Sequence, residues 1–138
     1  APNGSGLAFV MSQPETPGMY DAYVLDLVSN QVSSLTNGSL VGAGGSIDWS
    51  PDGKFLLFFA GSPGNNEIIR YEILTGEFLQ LTSGGNNAAP AFSPDGQWIV
   101  FNSQRTGNAE IFIMRTDGLD VRQLTEDPDP DWQPRWGR

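Results

Sequence analysis

The stretch from Ala91 to Thr125 decides the fold, and it reads AFSPDGQWIVFNSQRTGNAEIFIMRTDGLDVRQLT. Its parts recur along the chain: a Ser-Pro-Asp-Gly tetrapeptide occupies 50–53 and 93–96, and a Leu-Thr pair occupies 35–36, 81–82 and 124–125. The spacing is therefore 43 to 46 residues. A period of about 40–45 residues with four strand-like runs in each unit is typical of the blades of a β-propeller.

Each repeat divides into four predicted strands, which we call A to D in order. Strand A is a short run before the Ser-Pro-Asp-Gly turn, at 47–49, 90–92 and 134–136. Strand B, at 8–11, 55–59 and 98–101, is apolar without alternation, which indicates burial on both faces. Strand C lies at 22–25, 68–71 and 111–114, and strand D, at 32–35, 78–81 and 121–124, alternates as an edge strand does.

Turn-forming residues between the strands support this division. Proline presets φ at the second position of a tight turn and glycine suits the fourth, so each Ser-Pro-Asp-Gly predicts a type I turn between strands A and B. The turns between C and D carry Ser29-Asn30, Thr75-Gly76 and Asp117-Gly118, which are hairpin residues. An acid precedes each strand C, at Asp21, Glu67 and Glu110. We find no segment with helical periodicity.

The third repeat resembles the repeat of TolB-like β-propellers, relatives of the WD-repeat propellers. Phe-Ser-Pro-Asp-Gly, Phe-Asn-Ser, Gly-Asn-Ala-Glu-Ile-Phe-Ile-Met and Leu-Thr carry the likeness, which extends from Leu7 to Trp136. It implies an all-β fold with three four-stranded antiparallel blades per chain, half of a six-bladed ring. It also implies a non-enzymatic scaffold that binds proteins or ligands at the channel mouth, in the periplasm or outside the cell of a bacterium. Similar repeats occur in peptidase gating propellers and polysaccharide lyases, which are the alternative.

The composition limits which catalytic groups, metal sites and partners the chain can have. The chain of 138 residues has neither histidine nor cysteine, which excludes Ser-His-Asp and Cys-His catalysis, disulfides and the usual zinc sites. Carboxylate pairs remain as the route to catalysis, and we expect no enzymatic activity and no cofactor. The net charge of −9, without a basic stripe, argues against nucleic-acid binding and against anionic membranes. No run of apolar residues is long enough for a transmembrane helix.

The acidic run from Glu126 to Trp132 has three interpretations: a proline-stiffened loop, a contact for a basic partner, or a Ca²⁺ site. Asp131 and Asn87 stand at the same place, three residues before the proline of strand A. Side chains of this type bond loop backbone, which we prefer to a ligand role. Trp132 has no aromatic counterpart in the second repeat, so it is either a contact residue or a filler of the channel mouth.

Strand direction predicts that the D–A loops and the B–C loops share one face, where propellers place binding. The candidate binding residues there are Asn86, Asn87, Arg105, Asn108, Asp127, Asp129, Asp131 and Trp132. Trp49, Phe92 and Trp136 recur with the repeat and are predicted to pack within blades.

The whole chain, 1–138, is predicted to be one propeller domain with repeat units at about 7–49, 54–92 and 97–136. Three blades cannot close a ring, since propellers have at least four. The first repeat begins at strand B, and the third is followed by an unaccompanied strand A. We therefore expect a homodimer in which each copy supplies strand A to the first blade of the other, with the loop from Asp127 to Trp132 near each junction.

Overall fold

The chain folds into β-strands and turns. The structure, a computed structural model, describes residues 1–13, 15, 20–37 and 44–137. Within these ranges there is no helix, and so no helix that is long and apolar enough to cross a membrane. The strands are β1 (Gly6–Ser12), β2 (Tyr20–Asp26), β3 (Val32–Ser34), β4 (Gly44–Trp49), β5 (Phe55–Ser62), β6 (Asn65–Glu72), β7 (Phe78–Gln80), β8 (Asn87–Phe92), β9 (Trp98–Ser103), β10 (Glu110–Arg115) and β11 (Arg122–Gln123).

Three antiparallel sheets follow one another along the chain. Their strand orders are β1-β2-β3, β4-β5-β6-β7 and β8-β9-β10-β11, so that strands adjacent in sequence are adjacent in space. The second and third sheets have the four strands that were predicted. The first sheet has three strands. In the other two sheets a first strand, β4 or β8, pairs with the strand that corresponds to β1, and no described strand takes that place beside β1.

The strand predicted at 134–136 was expected to pair with the first blade of a second copy, so within one chain it stays a prediction. These residues belong to no sheet, because a strand needs a hydrogen-bonded neighbour and none of the described strands pairs with them. Strand D is also shorter than predicted, with only two or three residues in each of β3, β7 and β11.

Both Ser-Pro-Asp-Gly turns form as the sequence predicted. In each, the glycine N–H donates to the serine carbonyl at 2.9 Å, and glycine has φ near 70°, at Gly53 and Gly96. The serine hydroxyl donates to the aspartate, at 2.6 Å for Ser50 and 2.5 Å for Ser93, and accepts from the first amide of the next strand. The turn therefore fixes the start of β5 and of β9 through its own side chains.

The core lies between the sheets. Leu56, Phe58 and Tyr71 pack against Ala22 of the first sheet, and Leu57 and other side chains of the opposite face of β5 pack against the third sheet. Strand β5 is thus buried on both faces, as its unbroken apolar run predicted, and β9 is buried in the same way. This stacking places the B–C and D–A loops of the second and third repeats at one end.

Candidate functional site: the loop face

Loops of two kinds meet at this end of the molecule, and we call the surface they form the loop face. The Gln104 N–H donates to the Gly85 carbonyl at 2.6 Å, and the Asn86 amide donates to the Gln104 side chain at 3.0 Å. The Asn108 amide donates to the Asp127 carbonyl at 2.9 Å. The predicted grouping of D–A loops with B–C loops is therefore confirmed in the second and third repeats, whereas residues 14, 16–19 and 38–43 of the first repeat lie outside the described residues.

A threonine and an acid bind each other in the second repeat. The Thr82 hydroxyl donates to Glu67 at 2.6 Å and accepts the Ile68 N–H at 2.9 Å. Glu67 also accepts the Gly84 N–H at 2.5 Å, so the carboxylate holds the start of the D–A loop. We call this arrangement of threonine hydroxyl, carboxylate and backbone amide the threonine–acid bracket.

The bracket recurs in the other repeats. Thr125 donates to Glu110 at 2.6 Å, and Thr36 donates to Asp21 at 2.5 Å. Glu110 and Asp21 are both only 2% exposed. The sequence shows the Leu-Thr pairs and the acid before each strand C, but it does not show that they contact each other, because about 15 residues separate the partners.

Asn87 is buried and fully bonded. It is 0% exposed, and its amide donates to Glu67 at 2.9 Å and to the Gly84 carbonyl at 2.8 Å. Its side-chain oxygen accepts a hydrogen bond from Arg105 at 2.9 Å. The predicted role of bonding loop backbone fits these contacts. With each of its polar side-chain atoms occupied, Asn87 supports the face from below.

Arg105 lies over two aromatic rings of the third sheet. Its guanidinium is 4.8 Å from the Phe112 ring centroid and 5.5 Å from that of Phe101, and its Nε donates to Ser103 at 2.9 Å. Burial lowers the pKa of Arg105 from its ordinary value, while the charge of Glu67 opposes that change. Gly85 makes room for it, since a Cβ there would lie 2.7 Å from the Arg105 Cβ.

Asn86 joins the second and third repeats at their loops. Its φ of 47° is in the left-handed region, which asparagine tolerates better than most residues. Its side-chain oxygen accepts from the Asn66 amide at 3.0 Å, and its own amide reaches Gln104. Asn86 therefore bonds to Asn66 and Gln104, while its neighbour Asn87 bonds to Arg105, and together they connect the loops of the second and third repeats.

Carboxylates dominate the other part of the face, and we call Asp127, Asp129 and Asp131, together with the buried Glu110 beside them, the acidic lip. Oxygen atoms of Glu110, Asp127 and Asp131 lie within 4.8 Å of one another. In the second repeat Asn87 donates to Glu67, but Asp131 stands at the corresponding place and brings a carboxylate in place of an amide donor. A groove of about 330 Å³ runs beside the lip, past Asn108.

The lip is held by its backbone. The Asp131 N–H donates to the Ala109 carbonyl at 2.7 Å, and the Asp129 N–H donates to the Asp127 carboxylate at 2.9 Å. Hard cations such as Ca²⁺ take oxygen ligands of this kind, usually six to eight of them. Three carboxylates fit such an ion in chemistry but do not complete its shell.

Trp132 and Trp136 both follow the acidic lip in sequence, and one of them differs from the expectation. Trp132 is 54% exposed and stands next to the lip. Trp136 was predicted to pack within a blade, like Phe92, which is 6% exposed, yet Trp136 is 39% exposed. The reason is that its segment pairs with no described strand, so that Trp136 rests on the third sheet through its Nε1–H to the Ala91 carbonyl, at 3.2 Å.

Sequence reasoning did not single out Asp48. Its carboxylate accepts the Phe92 N–H at 2.7 Å and so links strand A of the second sheet to strand A of the third. Burial raises the pKa of Asp48, while that hydrogen bond and the charge of Arg135 lower it by less. The signal in the sequence that could have found Asp48 was an acid inside a predicted inner strand.

Comparison with known proteins identifies the fold family. No family sequence profile matches the chain, and no curated protein sequence matches it. Among solved structures, a TolB from Agrobacterium tumefaciens is 32% identical with a TM-score of 0.86, over 96% of this chain and 47% of the other. The chain belongs to the TolB-like β-propeller family. TolB from Acinetobacter baumannii is 28% identical with a TM-score of 0.78, over 95% of this chain and 32% of that one.

More distant structures share the propeller fold. The β-propeller domain of the Trilobed protease from Pyrococcus furiosus is 16% identical, with a TM-score of 0.71 over 91% of this chain and 40% of that one. Oligogalacturonate lyase from Vibrio parahaemolyticus is 15% identical, with a TM-score of 0.66 over 89% and 40%. The TolB-like chain thus spans less than half the length of each of these four structures.

Proposed function

We propose that this TolB-like chain is a non-enzymatic binding scaffold of the bacterial cell envelope, and that its loop face takes a basic segment of a partner protein. The observation that carries the proposal is that Trp132, which is 54% exposed, directly follows Asp131 of the acidic lip. Aromatic side chains dominate the binding energy of interfaces, and neighbouring charges select the partner.

The rest of the face supplies rigidity. Asn87 and Arg105 are bonded to each other, to Ser103 of the third sheet and to Glu67 of the second, and the lip is bonded to the neighbouring B–C loop through Ala109 and Asn108. A preorganised surface loses less side-chain entropy when it binds. The net charge of −9 attracts a basic partner from a distance and repels an acidic one.

Enzymatic function has less support in these residues. Catalysis would have to use carboxylates, since the sequence has no histidine or cysteine. The likeness to oligogalacturonate lyase is 15% in identity and concerns the fold alone. Turnover of a uronate-containing polysaccharide by the purified chain would favour the enzyme over the scaffold.

The test is titration with short lysine- and arginine-rich peptides, and with glutamate-rich peptides of equal length, followed by tryptophan fluorescence and calorimetry. We expect the basic peptides to bind and the acidic ones not to. Trp132→Ala should weaken binding at least tenfold, and Asp129→Asn should weaken it and reduce its salt dependence. Asp117→Asn, an exposed acid on the opposite end of the molecule, is the matched control and should bind as the wild type does.

Two results would contradict the proposal: equal binding of both peptide classes, or basic-peptide binding that Trp132→Ala leaves unchanged. Calcium is tested in the same calorimeter. If the wild type gives heat of Ca²⁺ binding and Asp131→Asn does not, the lip binds an ion. The proposal then requires that the basic peptide still binds when Ca²⁺ is present.

A further inference from the structure

The first sheet exposes a face that the other two sheets cover. Backbone register gives the corresponding positions: Leu7 pairs with Leu25, as Leu56 pairs with Tyr71 in the second sheet and Ile99 pairs with Met114 in the third. Leu56, Ile99 and Met114 are each 0% exposed and Tyr71 is 9% exposed, whereas Leu7 is 54% exposed.

The same contrast continues along β1. Met11 is 46% exposed, while Ala60 and Ser103, at the corresponding positions, are 6% and 0% exposed. Phe9 and Tyr23 stack on this face with ring centroids 5.7 Å apart and are only partly buried. The first sheet therefore presents the apolar face that, in each later sheet, packs on the sheet before it.

The third sheet presents the opposite kind of face. In the second sheet, Leu57 and Ile68 pack on the sheet that follows and are 0% exposed. The corresponding face of the third sheet carries Ile111 and Ile113, which are only partly buried. On the same face Asn102 is 1% exposed and neither its side-chain oxygen nor its nitrogen has a hydrogen-bond partner.

Backbone edges are complementary as well. Strand β1 corresponds to β5 and β9 of the other sheets, where β4 pairs with one edge of β5 and β8 pairs with one edge of β9. The same edge of β1 has no partner among the described strands. The segment 131–137 lies on the third sheet, held by the Asp131 N–H and by the Trp136 indole, and also pairs with no described strand. An unpaired strand edge presents N–H and C=O groups that can form hydrogen bonds with a strand of another chain.

We propose that a second copy of this chain docks on the face formed by Leu7, Phe9, Met11, Tyr23 and Leu25, with its third sheet over that face and its segment 131–137 paired with β1. Each copy offers both halves of the contact, so two copies related by a two-fold axis close a ring of six sheets. Two copies also supply about the length of the Agrobacterium TolB chain, of which one copy matches 47%. The assembly does not depend on what the loop face binds.

The register of the new strand pair follows from the existing ones. Trp49 lies opposite Leu56 and Phe92 lies opposite Ile99, so Trp136 of one copy should lie opposite Leu7 of the other. Arg135 should then lie opposite Ala8, as Ala91 lies opposite Val100. The Asp127–Trp132 loop comes to each junction between the copies.

The first experiment measures the mass of the purified chain by size-exclusion chromatography with light scattering, over a range of concentrations. We expect twice the chain mass of 14.9 kDa. Leu7→Lys combined with Met11→Lys should give a folded monomer with an unchanged β-type circular dichroism spectrum. Val28→Lys combined with Leu74→Lys is the matched control, because Val28 and Leu74 are 84% and 91% exposed at C–D turns, and it should remain a dimer.

The second experiment uses the absence of cysteine from the sequence. Ala8→Cys with Arg135→Cys should form a disulfide between copies under mild oxidation, since residues opposite each other in a sheet are within disulfide range. Val10→Cys with Arg135→Cys, two residues out of register, should crosslink much less. A wild-type monomer, a mass that grows without limit, a dimer that survives Leu7→Lys with Met11→Lys, or crosslinking that ignores register would each overturn the proposal.

Discussion

The threonine–acid bracket of the second repeat is expected to be a main source of stability on the loop face. Thr82 is 7% exposed and Ile68 is 0% exposed, so the hydroxyl lies where water cannot replace it. Thr82→Val keeps the shape of the side chain and removes the hydroxyl. It therefore removes the bond to Glu67 and leaves the Ile68 N–H without its acceptor.

The magnitude follows from these two losses. A hydrogen bond to a charged group contributes about 1.5–3 kcal/mol, and an unsatisfied buried donor costs about 1–3 kcal/mol. Glu67 keeps its bonds from Gly84 and Asn87, which limits the cost on the acid side. We expect Thr82→Val to lower the free energy of unfolding by about 2–4 kcal/mol.

The assay is urea denaturation followed by circular dichroism at one fixed protein concentration, with the midpoint expected to fall and the slope to stay constant. Thr82→Ser keeps the hydroxyl and should cost far less. Thr75→Val is a second control, since Thr75 donates to Glu72 at 3.0 Å and accepts the Glu77 N–H at 3.3 Å in an exposed turn. There we expect a change within about 0.5 kcal/mol. Equal effects of Thr82→Val and Thr82→Ser would refute the reasoning.

Three further predictions concern other parts of the chain. Trp132→Ala should change the unfolding free energy by no more than about 0.5 kcal/mol, because the side chain is 54% exposed; a larger loss in urea denaturation would show that it packs. Ser93→Ala should cost about 1–3 kcal/mol, since the buried serine accepts the Trp98 N–H; a neutral result in the same assay would mean that Asp95 or water replaces it. Asp48→Asn should raise the melting temperature more at pH 7 than near pH 3.5. Burial raises the folded-state pKa of Asp48 above 3.8, so the folded protein holds that proton more tightly and wild-type stability falls as the pH rises through this window; an equal shift at both pH values would exclude this cause.

Most of the fold was predicted from patterns among residues that are close together in the sequence. The turn at Ser93 and Gly96 depends on residues that are neighbours in sequence, and its geometry was predicted from proline and glycine alone. The strand order within each sheet followed in the same way, since consecutive strands joined by short turns pair with each other. The unbroken apolar runs of β5 and β9 correctly predicted burial on both faces.

The site was harder to predict because its contacts join distant segments. Asn87 and Asp131 stand at the same place in the repeat, yet Asn87 is enclosed by Glu67 and Arg105, whereas Asp131 lies in a group of carboxylates. The difference arises from one amide replaced by one carboxylate, together with what packs around each. Whether the candidate residues bind a partner stays a prediction.

By itself, the sequence determined the all-β class, the repeat period, the strands of the second and third sheets and the chemistry that is absent, because these depend on composition and on neighbours within a few residues. Only the tertiary structure decided that the acids before strand C bind the threonines after strand D, that Trp136 is 39% exposed while Phe92 is 6% exposed, and that Leu7 stands uncovered. Burial and hydrogen-bond partners are properties of the space around a side chain, and that space is filled here by segments 14 to 46 residues away along the chain.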